Sequence, residues 1–156
     1  MRCLFAVLVL SLPLTAFAQP VANVPLGVTD LIRDSVATVG YQHFGKLPSS
    51  LGYGWVGHDG TSGIYFQPEP RYGAPGQVFM HCPWRGGTGV TFADYRIRLP
   101  QTERIRMVFE IGMRPSAKGT DGVTYRVLVG VDVFFEQHAP WKEFRPFEVD
   151  LSKFAG

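Results

Sequence analysis

From residue 104 to residue 113, apolar and polar side chains alternate. Ile105, Met107, Phe109, Ile111 and Met113 share one side, and Arg104, Arg106 and Glu110 the other. A period of two is that of a strand with one buried face. Val108 and Gly112 fall on the polar side, which implies that this face is partly covered. The same period recurs over residues 123–129, where Val123, Tyr125, Val127 and Val129 stand in register against Thr124 and Arg126. It recurs again over residues 147–151, with Phe147, Val149 and Leu151 inward. Residues 77–81 and 90–99 read as two further strands, the second with Tyr95, Ile97 and Leu99 on one face and Arg96 and Arg98 on the other. A tight turn at Gly130-Val131-Asp132 returns the chain into a strand over residues 133–136. Ile64-Tyr65-Phe66 makes a short strand stopped by Pro68 and Pro70.

The first half is less regular. Residues 41–63 are rich in glycine and aromatics and read as turns and short irregular strands, with Asp59-Gly60 a hairpin signal. Residues 28–39 are ambiguous: Asp30 is placed to cap a helix carrying Leu31, Ile32 and Val36, but the β-branched content opposes one. Seven or more short strands at roughly ten-residue spacing, separated by glycine-rich turns, predict an all-β fold, an antiparallel β-sandwich.

The first 18 residues read as a secretory signal peptide: Arg2, an apolar run from Cys3 to Leu14, and the small-x-small site Ala16-Phe17-Ala18. The run is short of the roughly 20 residues that span a bilayer. The expected organisation is a signal over residues 1–18, an extended leader over 19–27 and a sandwich domain over 28–156. The destination is the cell envelope or the exterior, with no integral membrane segment after cleavage. Without Arg2 the chain carries fourteen Lys and Arg against thirteen carboxylates, too even a balance to point to nucleic acid or an anionic membrane. Cys82 is then the only cysteine, either buried as a small hydrophobe or available for an intermolecular bond.

Candidate chemistry concentrates in residues 77–99. His81 ends a strand, and Trp84 and Arg85 follow between Pro83 and the Gly86-Gly87 turn. Sugars present C–H faces that stack on an indole, and a guanidinium fork satisfies hydroxyls or a carboxylate. Trp84 is equally suited to plugging the end of a sandwich, with Arg85 capping a carbonyl. Trp141, three residues after His138, is a second platform or an edge-packing residue. Tyr53, Trp55 and His58 form a third aromatic group. The four histidines show no metal-ligand spacing, and no D-x-D-x-D run supports calcium, although Asp121 or Asp59 with loop carbonyls offers oxygens. A glycosidase needs two carboxylates roughly 5 to 10 Å apart. Glu110, Glu136, Glu143, Glu148 and Asp150 are each accounted for as strand faces or turns. No nucleophile motif is present, and Cys82 and His81, as strand neighbours, point to opposite faces. The expectation is a protein that is not an enzyme and needs no cofactor.

Residues 79–156 resemble the NPCBM type of carbohydrate-binding module, a galactose-binding-like jelly roll that accompanies some glycoside hydrolases. The matching pieces are VFMHCP, FADYRIRLP, MVFEIGM, DGVTYRVLV, the hairpin to VFFE, and the terminal VDLSKFAG. In such modules one or two strands follow the last of these. Here either the closing strands are missing or the first half supplies them. The resemblance implies glycan binding at the end of the sandwich, with His81 and Arg85 donating hydrogen bonds, Trp84 stacking and Trp141 as a second wall. The alternatives are a structural domain that recruits a protein through an open edge strand, and an accessory fragment of a larger glycoside hydrolase.

Overall fold

The computed structural model describes residues 3–9, 21–33, 37–51, 63–67, 76–84 and 87–156. They form β1 (Cys3–Val9), β2 (Ala22–Asn23), β3 (Ala37–His43), β4 (Ser49–Leu51), β5 (Gly63–Gln67), β6 (Gln77–His81), β7 (Gly89–Tyr95), β8 (Ile97–Arg98), β9 (Arg106–Ile111), β10 (Val123–Val129), β11 (Asp132–Ala139) and β12 (Arg145–Asp150). A single 3-10 turn, Ser152–Phe154, follows. The class is the expected one, an all-β sandwich, but its strands are mostly rather than wholly antiparallel. A six-stranded sheet, ordered β11-β10-β1-β7-β3-β4, is faced by the pairs β12-β9 and β5-β6, with a small β2-β8 ribbon beside them.

The strands with clean alternation lie close to where the sequence puts them, because half-buried strands advertise their period. On β9, Met107 and Phe109 turn inward, while Val108 on the opposite face is 69 % exposed. At the end of that face the expected cover is real: a Cβ on Gly112 would fall 2.6 Å from the Glu143 carbonyl oxygen. The strand expected over residues 90–99 breaks at Arg96 into β7 and β8, and β8 leaves the main sheet to pair with β2. Of the helix considered over residues 28–39, the described residues 28–33 and 37–39 form none, and residues 34–36, with Val36, lie outside the described residues. Asp30 caps a single turn, its Oδ1 accepting from the Ile32 and Arg33 amides at 2.9 and 3.3 Å, and extended chain resumes at Ala37.

The first half does supply strands to the large sheet. β3 pairs antiparallel with β7 along its whole length, and β4 folds back on β3. Three pairings are parallel, and all involve the start of the chain: β2 with β8, and β1 with both β7 and β10. Cys3–Val9, expected as the apolar part of an export signal, thus lies between two strands of the main sheet.

Among the described residues the core has three regions. Ala37, Val39, Ile64, Ala93 and Tyr95 join β3 and β7 to the β5-β6 pair. Cys82, Met113 and Val123 join the end of β6 to the ends of β9 and β10. Val127, Val149 and Leu151 join β10 to the β9-β12 pair. The third region is aromatic. Phe135 meets Phe109 and Phe147 edge-on at 5.1 and 5.0 Å, geometry that contributes about 1 kcal/mol per pair beyond burial. A bulge helps to build it. Val127 opposes Phe135 and Leu128 opposes Val133, so Phe134 has no partner across the ladder and instead packs on Phe154 at 5.1 Å.

Tyr125 ties the layers together through its hydroxyl, which donates to the Gly112 carbonyl at 2.7 Å. Burial pushes this phenol up to about 12. Unfolded tyrosine ionises near 10, so the folded state retains a proton that the unfolded chain releases. That stabilisation is complete below pH 10 and is lost as pH rises toward about 12. Tyr125→Phe is expected to cost about 1 kcal/mol at neutral pH and to flatten the alkaline decline, measured by urea unfolding at pH 7 and across the alkaline window. A variant whose decline parallels the wild type would assign the titration to another group. Removing residues 1–18 takes out a strand paired on both sides. Urea unfolding should then show a loss of about 3 kcal/mol or more, and an unchanged midpoint would show that the sheet does not depend on β1.

Candidate functional site

The strand registers bring one set of strand ends together. His43 opposes Gly89, Gly63 opposes His81, Val123 opposes Ala139 and Arg145 opposes Ile111. With β1 running parallel to both β7 and β10, these pairs lie at one end of the sandwich. Trp84 and Trp141 follow β6 and β11 at this same end. Four described loop segments gather there: residues 42–48, 82–88, 112–122 and 140–144, with Arg85 and Gly86 of the second outside the described residues.

The β6–β7 loop is held by a few strong constraints. Thr91, fully buried on β7, donates its hydroxyl to the His81 carbonyl at 2.8 Å. Cys82 is buried and packs on Met113 and Val123, which is the small-hydrophobe alternative. Pro83 is also buried, and its ring lies where a Cβ on Gly89 would be, 2.8 Å away. With residues 82 and 83 anchored inward, the chain emerges at Trp84, which is 43 % exposed. On its return the loop is gripped by β3: His43 Nδ1 donates to the Gly87 carbonyl at 3.2 Å, and the Phe44 amide donates to Thr88 at 3.0 Å. Gly87 sits at φ +122°, a region that a side chain would strain.

His81 and Trp84 border a cleft of about 1510 Å3 between the layers, whose wall includes Met80, Tyr95, Met113 and Tyr125. The exposed ring of His81 places Nδ1 3.0 Å from the Cys82 carbonyl. A carbonyl only accepts, so Nδ1 donates in this contact. Arg85 lies outside the described residues, as do Tyr53, Trp55, His58 and Asp59.

Trp141 is in a different state from Trp84. It is half-buried, does not line the cleft, and the Arg145 guanidinium covers its ring at 4.2 Å. Its Nε1 is buried with no hydrogen-bond partner. Arg145 also donates to Glu143 at 2.7 Å, a bond that holds the Glu143 carboxyl below its usual range. His138 is structural: Nε2 donates to the Asp121 carbonyl at 3.0 Å, and Nδ1 accepts from Thr124 at 3.2 Å. Among the described residues, no three His, Cys, Asp or Glu side chains converge on a metal-sized site, and no helix is long and apolar enough to cross a membrane.

Sequence reasoning passed over the β3–β4 turn. Phe44 and Leu47 stand 52 % and 87 % exposed on either side of Lys46. The available signal was the string FGKLP, a glycine turn flanked by large apolar residues that have no alternating strand to join.

No family model, curated protein or solved structure matches this chain.

The loop seat yields a direct test. A Cβ on Gly89 would fall 2.0 Å from the Gln42 carbonyl oxygen, part of the backbone of β3. Gly89→Ala is therefore expected to cost about 3 kcal/mol in thermal or urea unfolding and to increase protease cutting in the 82–88 loop. Wild-type stability in the variant would show that β3 and β7 are spaced more widely at this end.

Proposed function

We propose that this chain is an exported, non-catalytic carbohydrate-binding domain, with the glycan held at the end of the sandwich that displays Trp84. Exposure of Trp84 on a loop pinned at both ends carries the proposal. A flat indole held in place loses little conformational entropy when a sugar ring stacks on it. The His81 ring and the guanidinium of Arg85 would donate hydrogen bonds to the hydroxyls around it. Trp141, already covered by Arg145, would flank the ligand by its edge or become available when Arg145 swings away. The jelly-roll, galactose-binding-like topology and the NPCBM resemblance belong to the same proposal, as does the export signal over residues 1–18. β7 and β10 both run parallel to β1 and hence to one another, so a processed chain has two compatible edges with which to close its sheet. Affinity per site would be modest, because a shallow polar site mainly exchanges water hydrogen bonds for its own.

A second possibility is an interaction domain that adds a partner's strand to an edge of the large sheet. The exposed Val131 and Val133 beside the β11 edge favour it.

A glycan array probed with wild type and with a Trp84→Ala, Arg85→Ala double variant decides between them. Sugar binding that disappears in a variant with an unchanged far-UV circular dichroism spectrum is the expected outcome. A folded wild type that binds no glycan would overturn the carbohydrate assignment and favour the edge-strand partner.

A further inference from the structure

The loops at the Trp84 end share a second property that glycan binding does not require. Four large apolar side chains project from three of them: Phe44 (52 % exposed), Leu47 (87 %), Trp84 (43 %) and Phe144 (43 %). Isolated exposed apolar residues need no explanation, but several at the tips of neighbouring loops mark an interaction surface. The charge of the described residues in these loops is one-sided. Segments 42–48, 112–122 and 140–144 contain Lys46, Arg114, Lys118 and Lys142 against Asp121 and Glu143. Glu143 is bonded to Arg145, so its charge is offset locally. Segments 42–48 and 82–88, which carry three of the four apolar side chains, contain no carboxylate at all.

We propose that this end of the sandwich docks on the surface of an anionic phospholipid bilayer, with Phe44, Leu47, Trp84 and Phe144 entering the interfacial region and the lysines and arginines meeting the headgroups. Apolar tips ringed by cations are complementary to such an interface. The apolar groups gain by leaving water, the basic groups by the negative surface potential, and an indole suits the headgroup boundary. A protein partner of matching shape would need acidic side chains around an apolar centre, and it is the alternative outcome of the test. The balanced charge of the whole chain conceals this surface, because most carboxylates lie outside these four segments.

The surface is independent of the glycan assignment, although Trp84 belongs to both. The test is co-sedimentation of the protein with phosphatidylcholine vesicles and with vesicles in which part of the lipid is phosphatidylglycerol. Binding is expected to be at least about tenfold stronger to the anionic vesicles and to weaken steeply with salt. Phe44→Ser with Leu47→Ser should reduce it at least about tenfold, and Lys46→Ala by about fivefold. Should the double variant fail to fold, Leu47→Ser alone carries the test, since that side chain makes little contact with the fold. Equal binding to both vesicle types, no binding to either, or wild-type sedimentation of the folded Leu47→Ser protein would overturn the proposal. Glycan binding measured on the Phe44 and Leu47 variants should be retained, so loss of one activity without the other separates the two assignments.

Discussion

The hydrogen bond from Thr91 to the His81 carbonyl is small, but the functional end of the molecule depends on it. It joins β6, in the smaller layer, to β7, in the large sheet, at the point where the chain leaves the sandwich. The bond is part-buried and is made by a fully buried hydroxyl, which would lose its partner if the end of β6 moved away. From that position Cys82 and Pro83 must both go inward, and Trp84 is the first residue able to face solvent. The contact of Pro83 with Gly89 completes the seat, and it works only because residue 89 has no side chain. A buried hydroxyl, a proline ring and a glycine thus decide what an exposed tryptophan presents.

How much of this the sequence discloses follows from what each residue touches. β9 and β12 are legible because each buries one face and wets the other, β6 and β10 because their apolar residues still alternate, and the bounds of all four fall within a residue or two of the alternation. β3 is not. Its buried residues Ala37, Val39 and Tyr41 do alternate, but Gly40 interrupts the string and the preceding Leu31, Ile32 and Val36 mimic a helical stripe. The break at Arg96 is invisible for a related reason. Tyr95, Ile97 and Leu99 keep their period while the hydrogen-bonding partner changes from β3 to β2. Periodicity reports burial and says nothing of pairing.

The first segment shows a deeper ambiguity. CLFAVLV is an unbroken apolar run, which suits the core of an export signal. A strand with parallel neighbours on both sides also reads as an unbroken apolar run, since neither of its faces meets water. Translocation and central-strand pairing therefore demand the same composition, and no property of those seven residues taken alone distinguishes them. The parallel sense of β1 with both neighbours is information that only the fold contains.

The site was legible where chemistry is concentrated in one loop and opaque where it is assembled from several. Trp84 and its neighbours announce themselves as a local cluster. Phe44, Lys46, Leu47 and Phe144 do not, because three loops separated by tens of residues come together only through the registers of β3 on β7 and of β12 on β9. The two tryptophans that looked alike in sequence also part company. A guanidinium over one face of Trp141 supplies the stacking partner that a sugar would otherwise be, while its indole nitrogen is shut away from hydroxyls. Trp84 keeps much of its surface in water beside cationic loops. The asymmetry makes Trp84 the residue through which either a glycan or a lipid surface would act. It gives Trp141 the separate task of fixing Arg145, and through it Glu143, at the rim.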